Sequence, residues 1–223
     1  MSQKDFSKGG FVVVNTQNSK KVNSEVYRKF NQYERIRLLF KKYGYDMEAA
    51  RKKVLERAGR VKEPVLDVGT GPGRMAYTIA YNGNEVITMD ISEDAQRVAR
   101  VYAQKYNVLD KIKFMNMDAQ DMKFENGSFA TVFSANLLHD VKSPKKVVQE
   151  IIRVTRPGGK IIISDLNQKG RALVNKVYRL NREVHRGKSV NLEKIVGETF
   201  KKMGISFKKY EDGYITTYVG KKI

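Results

Sequence analysis

The chain contains no cysteine. That removes a disulfide framework, a thiolate zinc site and a cysteine nucleophile in one step. It also has no apolar run near the roughly 20 residues that a membrane span requires. Its N-terminus, MSQKDFSKGGF, lacks the apolar stretch of a secretory signal. A cytoplasmic, unsecreted protein is the simplest expectation. No internal repeat is visible. What the 223 residues do offer is 41% hydrophobic content, enough for one substantial core.

Positive charge is abundant, and its placement is uneven. Residues 1–60 hold 15 Lys and Arg against 6 Asp and Glu, residues 61–165 hold 14 against 13, and residues 166–223 hold 14 against 5. The middle is nearly neutral and the flanks carry the surplus. Such flanks suit an anionic small molecule, nucleic acid or an anionic membrane surface, and they are also what a lysine-rich solvated surface looks like.

The hydrophobic rhythm divides the chain. Residues 1–20 are polar and basic and read as a mobile tail. Residues 21–60 read as a helical cap: Val26, Phe30, Tyr33, Ile36, Leu39 and Phe40 share one helical face, Gly44 stops it, and Asp46 is placed to cap a second helix running to Gly59. From Pro64 short apolar runs alternate with helical stretches. VLDV (65–68), EVITMD (85–90), KIKFMNMD (111–118), FATVFSA (129–135) and KIIISD (160–165) read as strands, and TRPGG ends the helix before the last of them. Alternation of this kind predicts βαβ units, a parallel sheet covered on both faces and a core over 61–165. Residues 166–190 form a basic segment, helical over 168–186. Residues 191–223 add a helix to about Met203 and a hairpin, ISFKKY and YITTYVG, joined by Glu211-Asp212-Gly213.

One stretch carries chemistry. In VLDVGTGPGR (65–74) a strand ends in an acid and a turn with glycine at every second position. Glycine permits left-handed backbone and close ligand approach, and ligands of open α/β sheets bind at the carboxyl ends of the strands. The spacing is neither G-x-G-x-x-G nor a phosphate loop with G-K-[S/T]. Asp67, inside the strand, would serve a pyrophosphate poorly and a cation well. S-adenosylmethionine has a sulfonium, an ammonium and a carboxylate and no phosphate. Asp67 can face the ammonium, and backbone N–H groups of the turn can serve the carboxylate.

The stretch resembles the first motif of the class I S-adenosylmethionine-dependent methyltransferases, with the broad group of ubiquinone and menaquinone methylases nearest. Asp67-Val-Gly69-Thr70-Gly71-Pro-Gly73 matches that motif in full. The resemblance implies a doubly wound, mostly parallel seven-stranded sheet of Rossmann-like type, ending in an antiparallel hairpin, with S-adenosylmethionine as cofactor. It further implies Asp90 on the ribose hydroxyls and Ile91 on the adenine face. Asp118 and Ala119 would read the adenine edge, Asp121 being a rival to Asp118. Ser134-Ala-Asn136-Leu-Leu-His139 would line the methionine end, with Asn136 among the cofactor residues. RPGGKIIISD (156–165) resembles the family's turn into its fifth strand.

No catalytic residue follows from this. Methyl transfer needs alignment and a dry pocket, and a base only when the acceptor must lose a proton. His139 is the candidate base, with a packed histidine as the default reading. His185 is a weaker candidate. Tyr27, Tyr33 and Tyr43 can either cover the cofactor or pack in the core. The N/D-P-P-Y/F motif of adenine-amine and glutamine methylases is absent after strand four. A small-molecule acceptor is the preferred expectation, and tRNA or rRNA, held through the basic flanks and the aromatic-basic stretch 27–45, is the alternative.

Overall fold

A computed structural model describes residues 22–180 and 187–223. The tail (1–20) with residue 21, and residues 181–186 of the basic segment, His185 among them, lie outside the described residues.

Seven strands form one sheet in the order β3-β2-β1-β4-β5-β7-β6. They are β1 Val65–Val68, β2 Val86–Asp90, β3 Ile112–Asn116, β4 Phe129–Ala135, β5 Thr155–Leu166, β6 Ser206–Asp212 and β7 Ile215–Lys221. β1 to β5 are parallel, while β7 runs antiparallel between β5 and β6. The central strands are buried on both faces, which is why VLDV and FATVFSA read as unbroken apolar runs.

Each face has its own core. On one, Phe133, Ile162 and Ile215 of the sheet meet α1 (Val22–Lys42), α2 (Met47–Ala58), α3 (Arg74–Tyr81), α4 (Glu93–Lys105) and α6 (Gln168–Leu180). On the other, Val132, Ile161, Ile163 and Tyr218 meet α5 (Pro144–Val154) and α7 (Glu198–Lys202). The expected caps are formed. The Asp46 side chain accepts from the amides of Glu48 (3.0 Å) and Ala49 (3.1 Å), and Ser92 accepts from Ala95 (3.2 Å).

Three local expectations are revised. TRPGG does end α5, but Thr155 already pairs with Phe129, so these residues open β5 as an irregular bulge. The predicted 191–203 helix begins instead as a π-helical turn, Glu193–Gly197, before α7. The hairpin turn is tighter than expected: Glu211 and Asp212 belong to β6, and Gly213 and Tyr214 alone make the reversal, with Gly213 at φ 64°.

Tyr33 is a packing residue. Its backbone carbonyl accepts from Arg74 Nη2 at 2.9 Å, and the guanidinium lies 5.8 Å from its ring centroid. Arg74 Nη1 also contacts the sulfur of Met47 at 3.3 Å, so the first residue of α3 fastens both N-terminal helices. Tyr43 packs against the same core and lies under Lys176. Tyr27 is half-buried.

Candidate functional site

The carboxyl ends of β3, β2, β1 and β4 stand side by side, and the predicted residues sit on them. β1 delivers Asp67, fully buried, with Oδ2 accepting from the Thr88 hydroxyl at 2.8 Å. Thr88 and Thr70 share a 2.7 Å hydroxyl contact. Asp67 Oδ1 is buried with no partner. An unmatched carboxylate oxygen in an apolar interior is costly unless something else meets it. Burial, opposed by the Thr88 bond and reinforced by the charge of Asp90, pushes the Asp67 pKa up to about 7.

Gly69, Gly71 and Gly73 all have positive φ, at 85°, 48° and 82°. Their surroundings differ. A Cβ on Gly69 would meet the end of Leu137, and one on Gly73 would lie 2.6 Å from the Ala99 Cβ and 2.8 Å from its Cα. A Cβ on Gly71 would meet nothing within 4 Å. Gly73 is therefore glycine for packing, while Gly71 borders open space.

The turn's amides are not the free donors expected for a ligand carboxylate. Gly69 and Thr70 both donate to Met89 O at 2.9 Å, Gly71 donates to Asp90 Oδ2 at 2.8 Å, and Gly73 donates to Thr70 O at 2.8 Å. Pro72 has no N–H. The loop spends its own amides on fixing its shape against β2.

Asp90 thus holds the turn with one oxygen and the Ser92 amide with the other (2.9 Å). Each carboxylate oxygen keeps a further lone pair for a ligand hydroxyl. Ile91, next to it, is 69% exposed, an apolar side chain without cover. At the end of β3, Asp118 Oδ1 accepts from the Gln120 amide (2.8 Å), and Ala119 is buried. Asp121, the rival, is exposed and tied to Lys123 at 2.5 Å. Gln96, absent from the sequence reading, knits these ends together: its Nε2 donates to Asp90 O (2.8 Å) and Met115 O (2.7 Å). At the end of β4, Asn136 is a non-glycine residue at φ 56°, with Oδ1 buried and unpartnered. Strain of this kind persists only where its surroundings hold it.

Residues 66–163 match a protein-family model described as a methyltransferase domain. Over this stretch the chain is similar to S-adenosylmethionine-dependent methyltransferases, and it shares their fold. Its sequence is 32% identical over 118 residues to a demethylmenaquinone methyltransferase of Clavibacter sepedonicus, covering 53% of this chain and 47% of that one. It is 31% identical over 118 residues to a ubiquinone biosynthesis O-methyltransferase of Pseudomonas paraeruginosa, covering 52% and 50%. The chain spans about half the length of these curated relatives. A solved structure from Methanococcus maripaludis, a candidate S-adenosylmethionine-dependent methyltransferase, shares the fold at TM-score 0.67 and 18% identity, covering 94% of this chain and 97% of that one. The cofactor of the methyltransferase domain is S-adenosylmethionine. The unmatched oxygens of Asp67 and Asn136, the open space at Gly71 and the uncovered Ile91 fit a ligand with a cationic end and a flat apolar base.

The same edge of the sheet also holds a pair that the sequence alone did not bring together. His139 is 8% exposed, and its Nδ1 lies 2.6 Å from Asp165 Oδ1. The His139 amide donates to Asp165 Oδ2 (3.3 Å), and Asp165 is 1% exposed. Desolvation opposes a charge on the imidazole, but the bond to Asp165 and the charges of Asp165 and Asp140 outweigh it, raising the His139 pKa above the ordinary value of 6.5. The signal was available: Asp165 stands at the carboxyl end of β5, next to its last residue, as Asp90 stands at the end of β2.

The glycines yield a contrast. Gly73→Ala is expected to cost about 3 kcal/mol, from overpacking on Ala99 plus left-handed strain, lowering Tm by about 10 °C. Gly71→Ala carries only the strain, about 1 kcal/mol, yet places a methyl where the cofactor would approach. Thermal unfolding beside cofactor titration separates the two. Wild-type affinity in Gly71→Ala would remove the turn from the binding surface.

Proposed function

We propose that the chain transfers the methyl group of S-adenosylmethionine to a small-molecule acceptor. The observation that carries this is the row of Asp67, Asp90, Asp118 and Asn136 on neighbouring strand ends, with the Asp67 and Asn136 oxygens buried and unmatched. In this reading Asp67 faces the cofactor's ammonium, Asp90 the ribose hydroxyls and Ile91 the adenine face. Asp118 and the Ala119 amide read the adenine edge, Gly69, Thr70, Gly71 and Gly73 shape the turn, and Asn136 meets the methionine end. The bound cofactor supplies a methyl group already activated by its sulfonium. The protein's share is to align the acceptor and keep water out.

His139 is the residue placed to take a proton from the acceptor. A hydrogen bond from Nδ1 to Asp165 favours the proton on Nδ1, and Nε2, which lies 3.4 Å from Asp140 Oδ2, is the nitrogen that would exchange a proton with the acceptor. Asp165 is its positioning residue. Helices α1 and α2, together with residues 166–190, are the segments that would cover the acceptor. Their positive surplus supports an anionic acceptor, and the curated relatives, whose names point to quinone methylation, support a small one.

Calorimetric titration with S-adenosylmethionine and S-adenosylhomocysteine tests the reading, and micromolar binding is the expected result. A folded protein that binds neither would defeat it. Salt separates the acceptor classes. Between 50 and 200 mM salt, binding that rests on many phosphate contacts weakens by orders of magnitude, whereas turnover of an enclosed small acceptor is expected to change only a few-fold. A steep loss would favour RNA.

A further inference from the structure

At the other half of the sheet, beyond β5, lies a recess of about 740 Å³. It is open to solvent and bordered by the first turn of α6, residues 189–193 and the β6–β7 hairpin. None of the cofactor positions lines it. The volume falls within the range of small-molecule sites. Its apolar surface comes from Leu166, Val190, Leu192 and Tyr218, all buried.

The charges around it do not cancel. Glu193 Oε2 accepts from the Tyr218 hydroxyl (2.7 Å), and its Oε1 pairs with Lys201 (3.2 Å). Glu211 accepts from the Thr216 hydroxyl (2.8 Å), and Lys209 lies between the two acids, 3.8 Å from Glu193 and 3.3 Å from Glu211. Both acids and one lysine are thereby spent on each other. Lys169 and Arg171 remain. Among the described residues, no carboxylate lies within ion-pair distance of either. Arg171 Nη1 donates to Leu166 O (2.8 Å) and Val190 O (3.3 Å), which fixes the guanidinium in the wall. Its Nε and Nη2 have no protein partner among the described residues. A planar guanidinium held in this way is suited to bidentate recognition of a carboxylate or phosphate.

The recess adjoins the histidine–aspartate pair. The Leu166 amide donates to Asp165 Oδ1 at 2.7 Å, and the Lys188 amide donates to His139 O at 2.8 Å. The arginine's anchor, Leu166, therefore directly follows the aspartate that orients His139.

We propose that this recess holds the anionic end of the methyl acceptor, a small molecule with an apolar body and a carboxylate or phosphate group, with Arg171 and Lys169 as its counter-charges. The assignment rests on the methyltransferase reading. The anion binds the α6 wall, the apolar body lies along Val190 and Leu192, and the nucleophilic atom extends toward His139.

The test is a ¹H–¹⁵N titration of the chain, saturated with S-adenosylhomocysteine, against inorganic phosphate and separately against benzoate. Saturable shifts are expected at amides 167–171 and 189–191. Arg171→Gln and Lys169→Glu are each expected to weaken the probe at least fivefold and to leave S-adenosylhomocysteine affinity within twofold. Lys169→Glu, at an exposed position, stands in if loss of the Arg171 anchors disturbs the fold. Preference for phosphate over benzoate identifies a phosphate ester, and the reverse a carboxylate. Shifts that are absent, or equally strong in both variants, overturn the anion site while leaving the cofactor titration untouched. Failure of the wild-type chain to bind S-adenosylhomocysteine overturns the methyltransferase reading and the acceptor assignment with it. Displacement of phosphate by micromolar bulk tRNA overturns a small-molecule occupant.

Discussion

Asp67→Asn is expected to weaken S-adenosylmethionine binding by about a hundredfold while the chain stays folded. A hydrogen bond between charged groups contributes about 1.5–3 kcal/mol, and Asp67 Oδ1 has no protein group to satisfy it. Asparagine keeps the volume and can still accept from Thr88, so the strand is undisturbed. Because the free carboxyl titrates near 7 rather than 3.8, the wild-type protein carries a second signature. The cation needs the ionised form, so affinity should be about tenfold weaker at pH 6 than at pH 8, at one decade per pKa unit. Stability has the opposite sign. The folded state holds this proton where the unfolded chain has released it, so the cofactor-free protein loses stability as pH rises from about 4 through 7. Asp67→Asn should flatten both profiles. Calorimetry and thermal unfolding at several pH values give the answer, and an asparagine variant that binds like wild type would sink the assignment.

His139→Asn is expected to cut kcat by about 10²–10⁴ with cofactor affinity unchanged, the range for removing a general base. Asp165→Asn should come close to it, because the amide no longer enforces the productive tautomer. The wild-type rate should climb with pH through the His139 pKa, which lies above 6.5, and then level off. The raised pKa gives the stability from this pair the reverse course: it is present below 6.5 and fades as pH passes the folded value. A His139→Asn enzyme with full turnover and an unaltered pH profile would return His139 to a purely packed role.

Much of the fold was legible because its signals are local. Asp46 and Ser92 cap where they stand, the apolar runs of β1 and β4 are buried on both faces, and Asp-Gly marks the hairpin. The candidate site was legible in part for the same reason: carboxylates at or near the carboxyl ends of apolar runs pointed to Asp67, Asp90 and Asp118, and the structure places all three along that edge of the sheet. What escaped depends on distant partners. That His139 meets Asp165 follows from β4 pairing with β5, and that Gln96 ties β2 to β3 follows from the path of α4. The turn's amides are committed to Met89 and Asp90 by the register of β1 on β2, which no reading of residues 65–74 alone contains. Irregularities were hidden likewise: the β5 bulge arises from the offset between Phe129 and Thr131, and the π-turn falls where Glu193 reaches Tyr218.

The place of β7 sets a timetable for biosynthesis. Among the described residues, 215–221 fill an interior slot, giving β5 its second neighbour and β6 its only one. Until they emerge from the ribosome, β5 presents an open edge of unpaired N–H and C=O groups, and β6 has nothing to pair with. The nascent chain can assemble β1 to β5 by successive crossovers, but its sheet stays incomplete and prone to pairing with other chains until the last strand inserts.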